Sequence, residues 1–225
     1  DLAQSLLLTK TVGGGSPEPL RKATYTYYTN ADAYGSLGDL QTVTLQYPDG
    51  QGGWTGDEVT YYRYYETDGV TGFTRGLERE LLPNAYEKLA AYMTAQYPGQ
   101  GKTPLDATEQ EIANYTCYYH EYDSAHRVTK ETRFGNSETF TYAYSSVATD
   151  EDYVPGYNTW AKKSTKTRAD GTTYKAYTNF MGQTLLTDLA SGSDHWYTYS
   201  VYDDAGRLLE EYSAAAVASY VDNGG

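Results

Sequence analysis

Side chains able to do chemistry are few and scattered along the chain. The histidines are His120, His126 and His195, and Cys117 is the sole cysteine. His120 and Cys117 stand three residues apart in a stretch that reads as a strand. An i, i+3 pair faces opposite sides of a strand, so no Cys–His dyad is expected. Cys117 is instead expected as a small packed thiol, and a lone cysteine excludes both an internal disulfide and a CxxC metal knuckle. His126 falls within a turn and is expected at the surface. His195 follows Ser191-Gly192-Ser193-Asp194 and precedes Trp196, with no G-x-S-x-G elbow to supply a nucleophile. No phosphate-cradling loop or dinucleotide fingerprint occurs either. These residues assemble into no catalytic constellation, and the chain is expected not to be an enzyme.

Binding chemistry has more material. Asp150-Glu151-Asp152 and Asp203-Asp204 offer hard oxygen ligands, though neither has the alternating spacing of a calcium loop. No cofactor is expected, and Asp150 and Asp152 are the calcium candidates. Asn114-Tyr115-Thr116 fits a glycosylation sequon. Tyr61, Tyr62, Tyr64 and Tyr65 place two rings on each face of one strand, where an open face could stack on sugar rings or on another copy. The opposing expectation is that both faces are covered, one by a helix and the other by a further turn of sheet.

The elements that must position these groups follow from composition. The chain has 225 residues, a formal net charge of −13 and 27 tyrosines. Leu, Ile, Val and Phe together number only 33. That aliphatic content with that charge would ordinarily indicate disorder. Tyrosine reverses the expectation, since each ring can bury about 150–250 Å² and, like the 30 threonines, favours strands. The acidic balance argues against nucleic acid. No stretch approaches the roughly 18 apolar residues of a membrane-spanning helix.

A strand–turn–strand unit recurs. Its turns begin at Tyr122-Asp123, Tyr177-Thr178 and Tyr202-Asp203, and close through Arg127, Gly182 and Gly206-Arg207. Tyrosine-rich strands precede them (116–122, 174–177, 196–202) and polar strands follow (128–134, 184–189, 208–212). Asp anchors such turns through its side chain and Gly supplies positive φ. Looser copies run from Tyr25–Tyr28 through Gly35 and Gly38 to 40–47, and from Val59–Tyr65 through Gly72 to 75–82. Residues 140–144 alternate as a strand. Residues 162–168 alternate without apolar side chains and read as an edge or solvent-covered strand, its lysines discouraging lateral pairing.

Two helices interrupt the pattern. The first is expected over 84–97, capped by Asn84 with Glu87, and presents Tyr86, Leu89, Ala90, Met93 and Tyr97 on one stripe. The second is expected over 106–114, capped by the pair Asp106 and Glu109. The resulting organisation is an N-terminal connection (1–23), loose repeats with a helix (24–98), a loop with a short helix (99–115), a repeat β-sheet (116–213) and a tail (214–225).

The units His120-Glu-Tyr122-Asp123-Ser-Ala-His126-Arg127-Val128 and Tyr199-Ser-Val-Tyr202-Asp203-Asp-Ala-Gly206-Arg207-Leu208 resemble the RHS/YD-repeat family. The order of segments from residue 106 to 186 resembles the RHS-repeat proteins of planctomycete bacteria. The resemblance implies a mainly β fold, a repetitive antiparallel hairpin strip that spirals into a shell or arc, with one or two short helices. It also implies a structural role in a secreted or cell-surface protein, with other repeats, copies of the same chain, an enclosed C-terminal domain or glycans as partners. The repeats here suffice for an arc or a small barrel. His126 stands where the family's turn carries glycine, which predicts a looser turn, and the Asp-Pro-x-Gly self-cleavage motif of bacterial shells does not occur.

Overall fold

The structure, a computed structural model, describes residues 4–10, 18–29, 32–147 and 155–220, with side chains from residue 20 onward. It divides into two compact units, 1–137 and 138–225. The fold is mainly antiparallel β with few short helices, as the hairpin pattern implies.

In the first unit the strands are β1 (Gln4–Lys10), β2 (Glu18–Tyr27), β3 (Leu40–Pro48), β4 (Trp54–Tyr64), β5 (Leu77–Leu81), β6 (Tyr118–Tyr122) and β7 (Val128–Arg133). Each pairs antiparallel with its neighbour in sequence. Between β5 and β6 lie α1 (Pro83–Gln96), a 3₁₀ turn (Pro104–Asp106) and α2 (Glu109–Ala113). This insertion builds the core. Tyr28, Tyr61, Leu81, Leu89, Met93, Ala107 and Ile112 are buried together, with Tyr64, Tyr86, Tyr92, Tyr97, Leu105 and Tyr115 packed around them. Tyrosine supplies ring area that a leucine-poor chain otherwise lacks, and its hydroxyl finds a partner when buried. Tyr28 shows both: its ring meets Tyr64 edge to face at 6.1 Å, and its hydroxyl donates to the carbonyl of Tyr62 at 2.7 Å.

Local boundaries differ from those expected. Residues 4–10 and 18–23 are strands, where a connection was expected; the glycines at 13–15 lie outside the described residues. Helix α1 begins with Pro83 at its first turn after Leu82, and Asn84 sits inside the helix rather than capping it. In place of one capped helix over 106–114 there are two short turns with threonine caps. Thr103 pairs with Asp106, and Thr108 with Glu111, in reciprocal boxes. Asp106 and Glu109 are therefore not a capping pair, because extended backbone at Ala107 separates the two turns.

The second unit contains β8 (Glu138–Ser146), β9 (Lys162–Arg168), β10 (Thr173–Thr178), β11 (Thr184–Ser191), β12 (Asp194–Tyr202) and β13 (Leu208–Tyr212), again paired in chain order. Strand β9 is interior, hydrogen-bonded to β8 and β10, which corrects its reading as an edge. Its lysines are accommodated by rings on the neighbouring strands. The ammonium of Lys166 lies 3.9 Å from the centroid of Phe140, and that of Lys163 lies 5.7 Å from Tyr177.

Candidate functional site

The ends of five hairpins share one geometry. At β2/β3, β4/β5, β6/β7, β10/β11 and β12/β13 the register slips by one at the last paired residue, Tyr27, Tyr64, Tyr122, Thr178 and Tyr202. The residue left unopposed is always the second of the returning strand: Gln41, Glu78, Thr129, Leu185 and Leu209. A bulge of this kind bends and twists the strand it occupies. The residue after each slip then donates its N–H to the carbonyl just before the returning strand, at 2.8–2.9 Å: Tyr28 to Asp39, Tyr65 to Gly76, Asp123 to Arg127, Asn179 to Gln183 and Asp203 to Arg207. One residue before that carbonyl the backbone is left-handed at Gly38, Arg75, His126, Gly182 and Gly206. His126, with φ of 60°, thus takes the glycine conformation, and the turn is no looser than its neighbours. Its ring stacks at 3.8 Å on Phe73, which helps hold a conformation that a side chain rarely adopts.

The three tight turns are tied by their first residue. Asp123 accepts at Oδ1 from the N–H groups of Ala125 and Arg127, and at Oδ2 from Nε of Arg127. Asp203 repeats every contact with Ala205 and Arg207. These donors hold both carboxyls below the usual Asp range; the Arg127 side chain dominates for Asp123, and the Arg207 N–H for Asp203. In the third turn Asn179 takes the same backbone bonds, from Met181 and Gln183. The predicted turn residues Tyr122, Asp123, Arg127, Gly182, Tyr202, Asp203, Gly206 and Arg207 all lie in these turns. Tyr177 stands just before its slip, buried.

The two loose copies repeat at a constant offset of 37 residues, the separation of Tyr28 and Tyr65. A Cβ on Gly35 would lie 2.4 Å from the Tyr28 ring, and a Cβ on Gly72 would lie 2.4 Å from the Tyr65 ring. Both loops therefore close over a tyrosine at a position only glycine can fill. Tyr34 offers its carbonyl to the N–H of Tyr64, and Thr71 offers its own to Tyr122. In the second unit the Asn158 side chain takes that place, accepting from the N–H of Tyr202 at 2.7 Å. Hydroxyls tie neighbouring hairpins as well. Tyr28 and Tyr65 donate forward to the carbonyls of Tyr62 and His120, whereas Tyr122 and Tyr202 donate backward to those of Leu77 and Thr184. Each hairpin end is thus a joint that recognises its neighbour.

This geometry accounts for the tyrosines expected to stack on a ligand. Tyr61 is 1% exposed and meets Tyr86 edge to face. Tyr64 packs on the core, with burial pushing its hydroxyl up to about 12. Tyr62 and Tyr65 are half-buried, and burial raises both of their pKa values. Tyr61 therefore offers no open face, whereas Tyr62, Tyr64 and Tyr65 are only partly covered. Between Tyr62 and Tyr64, Arg63 is fully buried, its guanidinium 3.6 Å from the Tyr34 ring centroid and 2.7 Å from Glu109.

Among the described residues no cluster of three metal-ligating side chains occurs, and Asp150 and Asp152 lie outside those residues. Cys117 is buried and accepts at Sγ from the N–H of Leu82, apart from His120. Burial lowers the pKa of His120, with Glu131 3.8 Å away opposing the shift. Sequence reading missed His195 with Asp188. The histidine Nδ1 lies 2.8 Å from a carboxylate that is itself 0% exposed. The signal lay in strand pairing: Ala190 opposes His195, which sets the histidine diagonal to Asp188 on the next strand. No family model matches the chain, and no curated protein matches it.

Proposed function

We propose that this chain is a non-enzymatic scaffold segment of an extracellular or cell-surface protein of the RHS/YD type. Its work is to lay down a continuous hairpin strip that encloses a cargo domain or joins head to tail with further copies. The observation that carries the reading is the joint itself: successive hairpin ends bond to one another through backbone carbonyls and tyrosine hydroxyls, so each repeat offers a template for the next. Strands β3, β5 and β11 each pair on their far side with the strand that follows, whereas β13 pairs, among the described residues, with β12 alone. Its Leu208 and Leu209 are 55% and 61% exposed. An edge open among the described residues would accept head-to-tail addition, which builds open filaments when it does not close. Sedimentation velocity and electron microscopy over a range of concentrations test the assembly. Growing oligomers that Leu209→Lys suppresses are expected, and a monomer at every concentration would rule it out.

A second reading, a glycan-binding surface, is favoured by a different set of rings from those first expected. Tyr174, Leu189 and Trp196 are direct cross-strand neighbours on β10, β11 and β12, and are 44%, 41% and 46% exposed. Aromatic rings in register suit stacking on a sugar chain. Affinity electrophoresis in neutral polysaccharides should show retardation that Trp196→Ala abolishes; equal mobility of both proteins in every gel would remove this reading.

A further inference from the structure

On one face of the second unit, Lys175, Asp188 and Tyr197 stand opposite one another on β10, β11 and β12. Asp188 is completely buried, and a buried carboxylate requires partners for both oxygens. Its Oδ1 faces Nδ1 of His195 at 2.8 Å. Its Oδ2 faces the ammonium of Lys175 at 3.8 Å and accepts from the hydroxyl of Tyr220 at 3.2 Å.

Tyr220 arrives from outside the sheet. After β13 the chain runs as turn and irregular backbone through 213–220, most of it exposed. Ala214, Val217 and Tyr220 are partly covered, and Tyr220 alone of these makes ring and hydroxyl contacts with the sheet. Its ring meets Tyr177 and Tyr197 edge to face, at 5.6 and 5.3 Å with interplanar angles of 72° and 78°. Its hydroxyl has three polar neighbours besides its ring contacts: Asp188, the hydroxyl of Tyr177 at 3.2 Å and the ammonium of Lys175 at 3.4 Å. Trp160 backs the Tyr177 ring at 5.6 Å. Beside Tyr220 a cavity of about 160 Å³ remains, lined by Asn158, Trp160, Tyr177, Leu185, Leu186 and Tyr199.

We propose that Lys175, Tyr177, Asp188 and Tyr197 form a receptor for a phenolic ring, filled in cis by Tyr220. The two flanking rings select a flat aromatic group, since edge-to-face pairs fix orientation as well as supply contact area. The buried carboxylate selects the hydroxyl, because an occupant lacking one leaves Oδ2 of Asp188 with only the Lys175 ammonium at 3.8 Å, beyond hydrogen-bond distance. The tail is a removable plug: the sheet residues are placed by strand pairing, and Tyr220 contributes no strand. Displacing the tail opens a site for the tyrosyl or other phenolic group of a partner.

The test uses p-cresol, the tyrosine side chain without a backbone. Isothermal titration of Tyr220→Ala should show saturable p-cresol binding, and the whole chain with Tyr220 intact should bind at least tenfold more weakly. Toluene, which lacks the hydroxyl, should also bind Tyr220→Ala at least tenfold more weakly than p-cresol. A folded Tyr220→Ala protein that ignores p-cresol, or that binds toluene equally well, overturns the proposal. If Tyr220→Ala does not fold, the unaltered protein decides: p-cresol should accelerate proteolysis within residues 213–219, and an unchanged cleavage rate overturns the proposal.

Discussion

Asn179 donates from Nδ2 to Oε1 of Gln183 at 2.9 Å, in the position where Asp203 accepts from Nε of Arg207 at 2.7 Å. The two turns share their backbone bonds, their left-handed glycine and their bulge, yet the side-chain bond runs in opposite directions. A carboxylate with a guanidinium and an amide with an amide are both complementary pairs. In these turns mixed pairs are not, because the backbone N–H groups occupy the Asn oxygen and leave its NH2 facing Arg207, and the Gly206 carbonyl holds the Gln183 NH2 and leaves Oε1 facing a carboxylate.

The first prediction exploits this pairing. Asp203→Asn should lower the melting temperature, since the new amide cannot serve both the backbone N–H groups and Arg207. Adding Arg207→Gln should recover most of the loss by recreating the Asn179–Gln183 arrangement. Thermal denaturation of both variants measures the coupling; additive losses would show that the pair is not read as a unit.

Acid should unfold the protein through its turns. Asp49, Asp68, Asp106, Glu111, Asp123, Asp170 and Asp203 are all held below their ordinary pKa, each mainly by hydrogen bonds to the carboxylate. A depressed folded pKa contributes stability that is present above the unfolded value and lost as pH falls through the folded one. Glu78 and Glu80 act in the other sense: burial raises their pKa, so they gain stability as they protonate. Urea midpoints should therefore hold or rise slightly from about pH 6 to about 4.5, then drop below about pH 4, where free Asp titrates. A steady loss beginning at pH 6 would contradict this account.

Gly72 should be irreplaceable for a steric reason. Its backbone is not left-handed, but an added Cβ would meet the Tyr65 ring at 2.4 Å. Gly72→Ala is expected to cost about 1–3 kcal/mol, the usual range for forced overpacking. Gly69, with nothing within 4 Å of an added Cβ, is the control in the same loop and should lose under about 0.5 kcal/mol. Equal urea midpoints for the two variants would show that the loop opens freely.

Glu109 fastens the helical insertion to the sheet. Its Oε1 accepts from Arg63 Nη1 at 2.7 Å and its Oε2 from Arg79 Nε at 2.8 Å. Arg63 is fully buried, so Glu109→Ala strands a cation that keeps only Tyr61, the Ala107 carbonyl and the Tyr34 ring. A loss on the order of 2–3 kcal/mol is expected, below the full cost of unpairing a buried charge because Glu109 is itself partly exposed. Hydrogen exchange should rise first in the amides of α1 and α2; uniform exchange across the unit would refute the fastening role.

Much of the architecture is legible in the residues because the determinants are local. An Asp that reaches the N–H groups two and four residues ahead, followed by a left-handed position, defines a tight turn within six residues, and the tyrosine alternation on either side defines the strands. The hairpins at Asp123 and Asp203 need nothing else. The long loops after Tyr28 and Tyr65 were visible only as glycine-bearing copies, since the close approach of Gly35 and Gly72 to those rings depends on a chain folding back.

What tertiary structure decided is where charge and ring meet. The run Tyr61-Tyr62-Arg63-Tyr64-Tyr65 reads as a stacking surface, yet Arg63 and Tyr61 within it are buried. Strand β9 reads as an edge or solvent-covered strand, yet it is interior, with rings on adjacent strands receiving its lysines. Asp188 and His195 read as isolated, and only strand pairing makes them neighbours, with Tyr220 brought over them. In each case the sequence by itself determined the turns and the alternation, which are short-range hydrogen bonding and sterics. The burial of each charge was decided by partners tens of residues away, because desolvation is offset only where register places a counter-charge, a hydroxyl or an aromatic face against it.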